Sequence, residues 1–251
     1  MRDASALALA VEHMETESGQ KSPQTNDLLA TLSPTDLDRL VQQAEYVELP
    51  NGQTLITPHT SFDHVYFPLT CMVSLVQPLA DGAMIEVGVV GREGMVGIAA
   101  LLGTTTVPSH AMAQIPGDAL RIKVTTLREE IERNAKFRDL MYRYVLAMFV
   151  QIAQSAACNG RHSLEQRLGR WLLMAHDRVE GDELRLSHEF ISMMLGTRRA
   201  GVTVSVATFR TAGLISNTHG RITILDRKGL EAISCECYAA VRDETRRLQS
   251  R

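Results

Sequence analysis

The stretch that decides the fold runs from Ser187 to Ile215, SHEFISMMLGTRRAGVTVSVATFRTAGLI. Ser187 suits an N-cap ahead of Phe190, Ile191, Met194 and Leu195, which fall at helical spacing. Gly196, a residue able to take positive φ, predicts a tight turn. A second helix restarts near Thr197, buries Val202, Val206 and Phe209, and runs to Gly213. Two helices joined by so short a Gly-containing turn predict a helix-turn-helix, with the small Ser192 where they cross. Away from the buried stripe the second helix presents Arg198, Arg199, Thr203 and Val204. Guanidinium forks, a hydroxyl and an apolar contact are the chemistry that reads base edges in a major groove. Thr197 and Gly201 complete the candidate face.

The same pattern also suits an αα-hairpin with two solvated arginines. The next segment, SNTHGRITILD, shifts the balance toward DNA binding. Ile222, Thr223, Ile224 and Leu225 read as a strand beside the turn residues Asn217 and Gly220. A helix-turn-helix followed by a two-stranded hairpin is a winged helix, and its tip would offer His219 and Arg221 to a phosphate backbone. The chain as a whole carries a net charge of −3. From Leu184 to Gly229, however, seven Lys/Arg stand against two acids, so a basic face is local to this unit.

Upstream, Ser33-Pro34 predicts the start of a helix carrying Leu37, Leu40 and Val41. From Ala44 to about Thr125 the texture is of short strands cut by turns: Val65–Phe67, Met72–Val76, Met84–Val90 and Ala119–Val124. Asp81-Gly82 predicts a hairpin between the second and third of these. A small double-sheet roll of this kind would enclose a pocket. A long helix then follows, from about Thr126 to Asn159. Met141, Val145, Met148, Ile152 and Ser155 alternate steps of four and three along it. That heptad seam suits pairing with a second copy, although the same helix could be buried on all sides within one subunit. A further helix through Leu168 and Trp171 leads into the helix-turn-helix, and one more runs from Gly229 to about Leu248.

In sum, the expected fold is α+β with two domains. Residues 1–25, rich in turn and polar types near position 20, read as disordered. Residues 26–160 hold the β jelly roll and dimerisation helix, and 161–251 the winged helix-turn-helix with its C-terminal helix. The opening MRDASALALAVEHMETESGQ does not suit a signal peptide, and no run of 18 apolar residues offers a membrane span. A cytoplasmic protein is expected. Cys71, Cys158, Cys235 and Cys237 show no metal spacing, because Cys235 and Cys237 would point to different faces of one helix. The histidines form no HxH or HExxH pair, so neither a metal nor another cofactor is expected. Nor is there a nucleophile–base pair or a phosphate loop with its Lys, which argues against an enzyme.

This order of elements, from about Thr31 to Asp226, resembles the Crp/Fnr family of bacterial transcription regulators. The motif from Ile191 through Leu195-Gly196 to Gly213-Leu214-Ile215 fits without a gap, and GREGMVGIAALLG (Gly91–Gly103) looks like the family's Gly-rich segment beside the effector pocket. The resemblance implies a jelly-roll effector domain like the cyclic-nucleotide-binding fold. It also implies a homodimer on an inverted-repeat operator in double-stranded DNA, and contact with RNA polymerase.

Three departures stand out. The family's best-known recognition helices begin Arg-Glu and carry a later Arg, whereas here Arg199 is followed by Ala200, and Val204 holds the later position. Cyclic-nucleotide binders place a Glu after the pocket Gly and an Arg-Ser pair about ten residues on; here Ile98 follows Gly97, and the pair reads Pro108-Ser109. The iron–sulfur branch uses N-terminal cysteines, and residues 1–70 contain none. The candidate pocket is therefore Gly97, Ile98, Ala99, Leu101, Pro108 and Ser109, with an apolar wall unsuited to cyclic AMP. The expected function is a dimeric, sequence-specific DNA-binding regulator. The alternative is an effector-sensing module that acts through protein contacts with a degenerate helix-turn-helix.

Overall fold

A computed structural model describes residues 21–218 and 220–249. The first half is a β roll: β1 (Ala44–Leu49), β2 (Thr54–Ile56), β3 (His64–Pro68), β4 (Met72–Pro78), β5 (Met84–Val90), β6 (His110–Ile115) and β7 (Gly117–Lys123). These form two antiparallel sheets, in the orders β1-β7-β3 and β2-β6-β4-β5. Along β3 the side chains alternate as a half-buried strand requires, with Val65 and Phe67 fully inside. The β4–β5 hairpin closes at Pro78↔Met84 around Asp81-Gly82, where Asp81 Oδ1 accepts the Ala83 N–H at 3.0 Å. Ahead of the roll, α1 (Pro34–Val41) buries Leu37 and Leu40, and the Ser33 hydroxyl accepts the Asp36 N–H as its N-cap.

One long helix was expected next, but the chain forms two: α2 (Val124–Arg133) and α3 (Ala135–Arg161). Asn134 breaks the run in an extended conformation, caps α3 by accepting the Phe137 N–H at 3.1 Å, and donates to Asp36 at 2.9 Å. Asn159-Gly160 does not end α3, which continues to Arg161. Phe137, Leu140, Met141, Tyr144 and Met148 pack into the roll's core. Tyr144 Oη donates to Met95 O at 3.0 Å, and Gly94 allows this approach, since a Cβ there would lie 2.3 Å from the Tyr144 hydroxyl.

The expected dimer seam is therefore corrected. Met141, Met148 and Ser155 are buried inside the protomer, Val145 and Ile152 are half-buried, and the Ser155 hydroxyl accepts from Arg170 at 2.8 Å. The apolar residues left open lie one position further on: Tyr142, Leu146 and Phe149 are 51%, 47% and 67% exposed.

The second half contains α4 (Leu164–His176), β8 (Glu183–Arg185), α5 (His188–Met194), α6 (Arg199–Thr211), β9 (Ile215–Thr218), β10 (Arg221–Ile224), α7 (Arg227–Ile233) and α8 (Cys237–Gln249). The Ser163 and Gln166 side chains form a capping box at the start of α4. Its core gathers Leu168, Trp171, Leu172, Ile191, Val202, Val206, Phe209 and Ile222, and the same cluster takes in Met72, Val76 and Val89 from the roll. Polar contacts cross this junction as well. Trp171 Nε1 donates to Glu86 at 2.8 Å and Arg178 pairs with Glu93 at 2.6 Å, while on the roll's own side Gln151 of α3 accepts the Val89 N–H at 2.6 Å.

Three further expectations change. Pro23–Thr25 form a 3-10 turn, and buried Asn26 donates to Pro68 O and Gly94 O at 2.9 Å, so residues 21–25 are ordered. The rest of the expected disordered segment, 1–20, lies outside the described residues. The expected hairpin forms between β9 and β10, and β8 joins it to make the wing a three-stranded sheet, β8-β10-β9. The single tail helix is two, broken between Ile233 and Cys237, so Cys235 and Cys237 do not share a helix and turn to one side, where they meet Cys158 and His162. The expected absence of a metal-ligand cluster is overturned by that break.

Candidate nucleic-acid interface and roll cavity

Ser187 caps α5 by accepting the Phe190 N–H at 3.1 Å, and α5 ends at Met194 with Leu195 as its C-cap. Gly196 then takes φ +58, a left-handed turn that an L side chain adopts only under strain. The Thr197 N–H returns to Ser192 O at 2.9 Å, which pins the turn. Ser192 is buried, and its hydroxyl donates to Glu189 O at 2.7 Å. With α5 held this way, α6 buries Val202, Ser205, Val206 and Phe209 and leaves a row outside: Arg198, Arg199, Ala200, Thr203, Val204 and Thr208. Val204 is 64% exposed, which leaves its methyl groups open on this row. Arg199 has only a loose ion pair with Glu189, at 3.8 Å.

Not every candidate residue lies on this row. Thr197 is half-buried in the turn. Gly201 turns inward, where a Cβ would lie 2.9 Å from Leu164 of α4, so its smallness serves helix packing. Arg221 is exposed on β10, 3.5 Å from Glu183, and His219 lies outside the described residues.

Nothing in the sequence marks His188, yet it links the outward row to the wing. Its Nδ1 lies 3.0 Å from Thr203 Oγ1, and its Nε2 lies 2.9 Å from the Asn217 amide. With Nε2 accepting from Asn217, Nδ1 carries the proton and donates to Thr203. Burial, and then the Arg199 charge, hold its pKa below the ordinary value, which keeps this neutral form.

The roll holds a cavity of about 420 Å³ against the β2-β6-β4-β5 sheet, between that sheet, the segment 95–102 and Ile152 of α3. Gly97, Ile98, Ala99, Pro108 and Ser109 line it as expected. Leu101 does not; it packs half-buried against the core, and Leu102 takes its place at the wall. Phe62, Leu75, Val87 and Val107 make the rest apolar, and the polar groups are Gln77, Ser109 and His110. Among the described residues no Arg or Lys reaches it, and Arg92 lies on a different surface beside Asp27 and Arg178.

Two family models match this chain: the cyclic nucleotide-binding domain over residues 46–134 and the Crp-like helix-turn-helix domain over residues 166–233. They coincide with the roll and with the α4-to-α7 unit. The chain is a Crp/Fnr-type transcription regulator.

Relatives of this regulator include the global nitrogen regulators of Nostoc sp. and Synechococcus elongatus. The first is 24% identical over 69% of this chain and 82% of its own length; the second is 22% identical over 80% and 94%. Its fold matches a CRP-family transcriptional regulator from Thermus thermophilus with a TM-score of 0.62 at 22% identity, covering 75% of this chain and 96% of that one. It also matches FixK2 from Bradyrhizobium japonicum with a TM-score of 0.61 at 14% identity, covering 76% and 98%. The fold and family are those of regulators rather than enzymes. Among the described residues no helix is long and apolar enough to cross a membrane. In this Crp/Fnr-type chain Ile152, placed by sequence on the dimer seam, instead lines the roll cavity.

Proposed function

We propose that this regulator works in the cytoplasm as a dimer that reads an inverted repeat in double-stranded DNA and takes no cyclic nucleotide. Residues 26–160 form the sensing half, and 161–251 the reading half. The observation that carries this reading is the outward row of α6, set beside the wing while the opposite face of the helix is buried. Arg199 sits at the first turn, where it can reach guanine O6 and N7, and Val204 suits a thymine methyl. Arg198 at the start of that row, Thr197 in the turn and Arg221 on the wing serve as phosphate-backbone contacts, a role we also assign to His219. Ala200 replaces the family's Glu, so no carboxylate meets a cytosine amino group and the preferred operator differs from the usual one.

The second copy is held by the exposed stripe of α3. Tyr142, Leu146, Phe149, Ala153 and Ala156 keep alternating steps of four and three, all exposed in the single chain. Covering the part of these three large side chains that the single chain leaves open would stabilise the pair at about 25 cal/mol per Å² of apolar surface. Contact with RNA polymerase rests on the family resemblance. The cavity's apolar wall supports an uncharged effector, since a buried phosphate without a cationic partner is costly.

A gel shift with mixed-sequence duplex at rising salt tests the DNA-binding reading. Binding should weaken steeply as salt rises, because released counterions drive it. No retained DNA at low salt would favour a module acting through protein contacts.

A further inference from the structure

Four ligand-type side chains converge where α3 ends and where α7 breaks before α8. Cys158 and His162 stand one helical turn apart at the end of α3, Cys235 lies in the break, and Cys237 opens α8. Cys158 Sγ lies 3.5 Å from Cys235 Sγ, Cys237 Sγ lies 3.5 Å from His162 Nδ1, and all four donor atoms fall within 4.8 Å of one another. A tetrahedral zinc ion, with Zn–S near 2.3 Å and Zn–N near 2.0 Å, would set its donors roughly 3.5–3.8 Å apart. The spacing here is close to that. We propose that Cys158, His162, Cys235 and Cys237 form a closed Cys3His site for one zinc ion per chain.

The surroundings are built for it. His162 Nε2 lies 3.2 Å from Glu236 Oε1, so the carboxylate holds the ring proton on Nε2 and leaves the Nδ1 lone pair facing Cys237. Gln154 donates to Cys237 Sγ at 3.0 Å. Three thiolates around a divalent ion leave one net negative charge, and two arginines answer it. Arg167 and Arg170 both act on Cys158 electrostatically, and each keeps a buried Nε with no hydrogen-bond partner. The three cysteines are almost wholly buried.

Other chemistries account for less of this arrangement. A Cys158–Cys235 disulfide would bring two sulfurs to about 2.05 Å but leave Cys237 and His162 unexplained. An iron–sulfur cluster places its thiolates on different irons and needs a wider cage. With four protein donors no position stays open for a substrate, so the site is structural. Its place defines its effect. The ion ties the end of α3, which bears the exposed stripe, to α7 and α8, which pack on α4 and α3. It would fix the joint between the sensing and reading halves.

The test uses the full chain, reduced and stripped by a chelator, with cobalt(II) as the probe. One cobalt per chain should bind, giving sulfur-to-metal charge-transfer absorption and the intense visible bands of tetrahedral coordination, and zinc should displace it. Cys158→Ser and Cys235→Ser should abolish this binding, Cys71→Ala should not, and Glu236→Gln should weaken it about 10–100-fold. His162→Cys keeps four donors and should still bind one cobalt, with stronger charge-transfer absorption. Three results would overturn the proposal: less than one cobalt per reduced chain, a weak octahedral spectrum, or a Cys158–Cys235 disulfide formed in air despite excess zinc.

Discussion

Arg199 extends from the first turn of α6 with its side chain 69% exposed, the posture of a group waiting for a partner. Arg199→Ala should cost roughly 1–3 kcal/mol of DNA affinity and relax the preference at one base pair. Arg198→Ala should weaken all sequences alike and lower the salt slope. Competition gel shifts with single-base operator variants separate the two, and a uniform loss from Arg199→Ala would show that it touches only phosphate. Glu86 offers a second test, at the junction of the halves. Burial raises its carboxyl to about 7, against the hydrogen bonds from Ser74 and Trp171 that favour the anion. A carboxyl with a raised folded-state pKa contributes stability at low pH that is lost as pH climbs to that value. Glu86→Gln keeps the Trp171 bond without the charge. Its stability advantage over the natural protein should grow between pH 4.5 and about 7, then level off. Melting temperatures across that range check it, and an advantage independent of pH would mean Glu86 does not titrate there.

At the scale of the element, α3 carries two apolar stripes one residue apart. Met148 belongs to the inner stripe and Phe149 to the outer. Phe149→Glu should give a helical monomer, because it places like charges across the proposed seam. Met148→Glu should destabilise the protomer itself, because it buries an unpaired charge in the roll's core. Sedimentation with circular dichroism distinguishes these outcomes, and a Phe149→Glu protein that remains dimeric would contradict the seam. This pair also shows where the sequence is silent. A heptad pattern gives the period of α3, but with apolar residues on both stripes only the roll's position says which one faces inward. The helix-turn-helix was legible because a cap, a positive-φ glycine and a single buried stripe all agree. The third wing strand, Glu183–Arg185, is three residues long with only Leu184 buried, too short for any alternation to show. In the sequence Cys235 and Cys237 point apart, because a helix continuous across them would set residues two apart on different faces. The break at Ser234, extended at ψ 162, is what turns them together. His188 carries no pattern of its own, since its link to Thr203 and Asn217 exists only once α5, α6 and β9 are packed.

For the whole molecule, sensing and reading meet in one packed junction. The reading half's cluster includes Met72, Val76 and Val89 of the roll, and Trp171 reaches Glu86 across it. An effector filling the 420 Å³ cavity would press on β4, β5 and Ile152 of α3, the elements that also form this junction. Given the wall's chemistry, calorimetry should find no micromolar binding of cyclic AMP or cyclic GMP, and such binding would refute the assignment of an uncharged ligand. The account's central claim is that two copies of α6, related by the seam of α3, read two half-sites. Selecting bound duplexes from a random pool with the purified full chain tests this most directly. The enriched sequences should form an inverted repeat whose half-sites lie one helical turn, roughly 34 Å, apart. Enrichment of a single unrepeated site, or of no sequence at all, would contradict it.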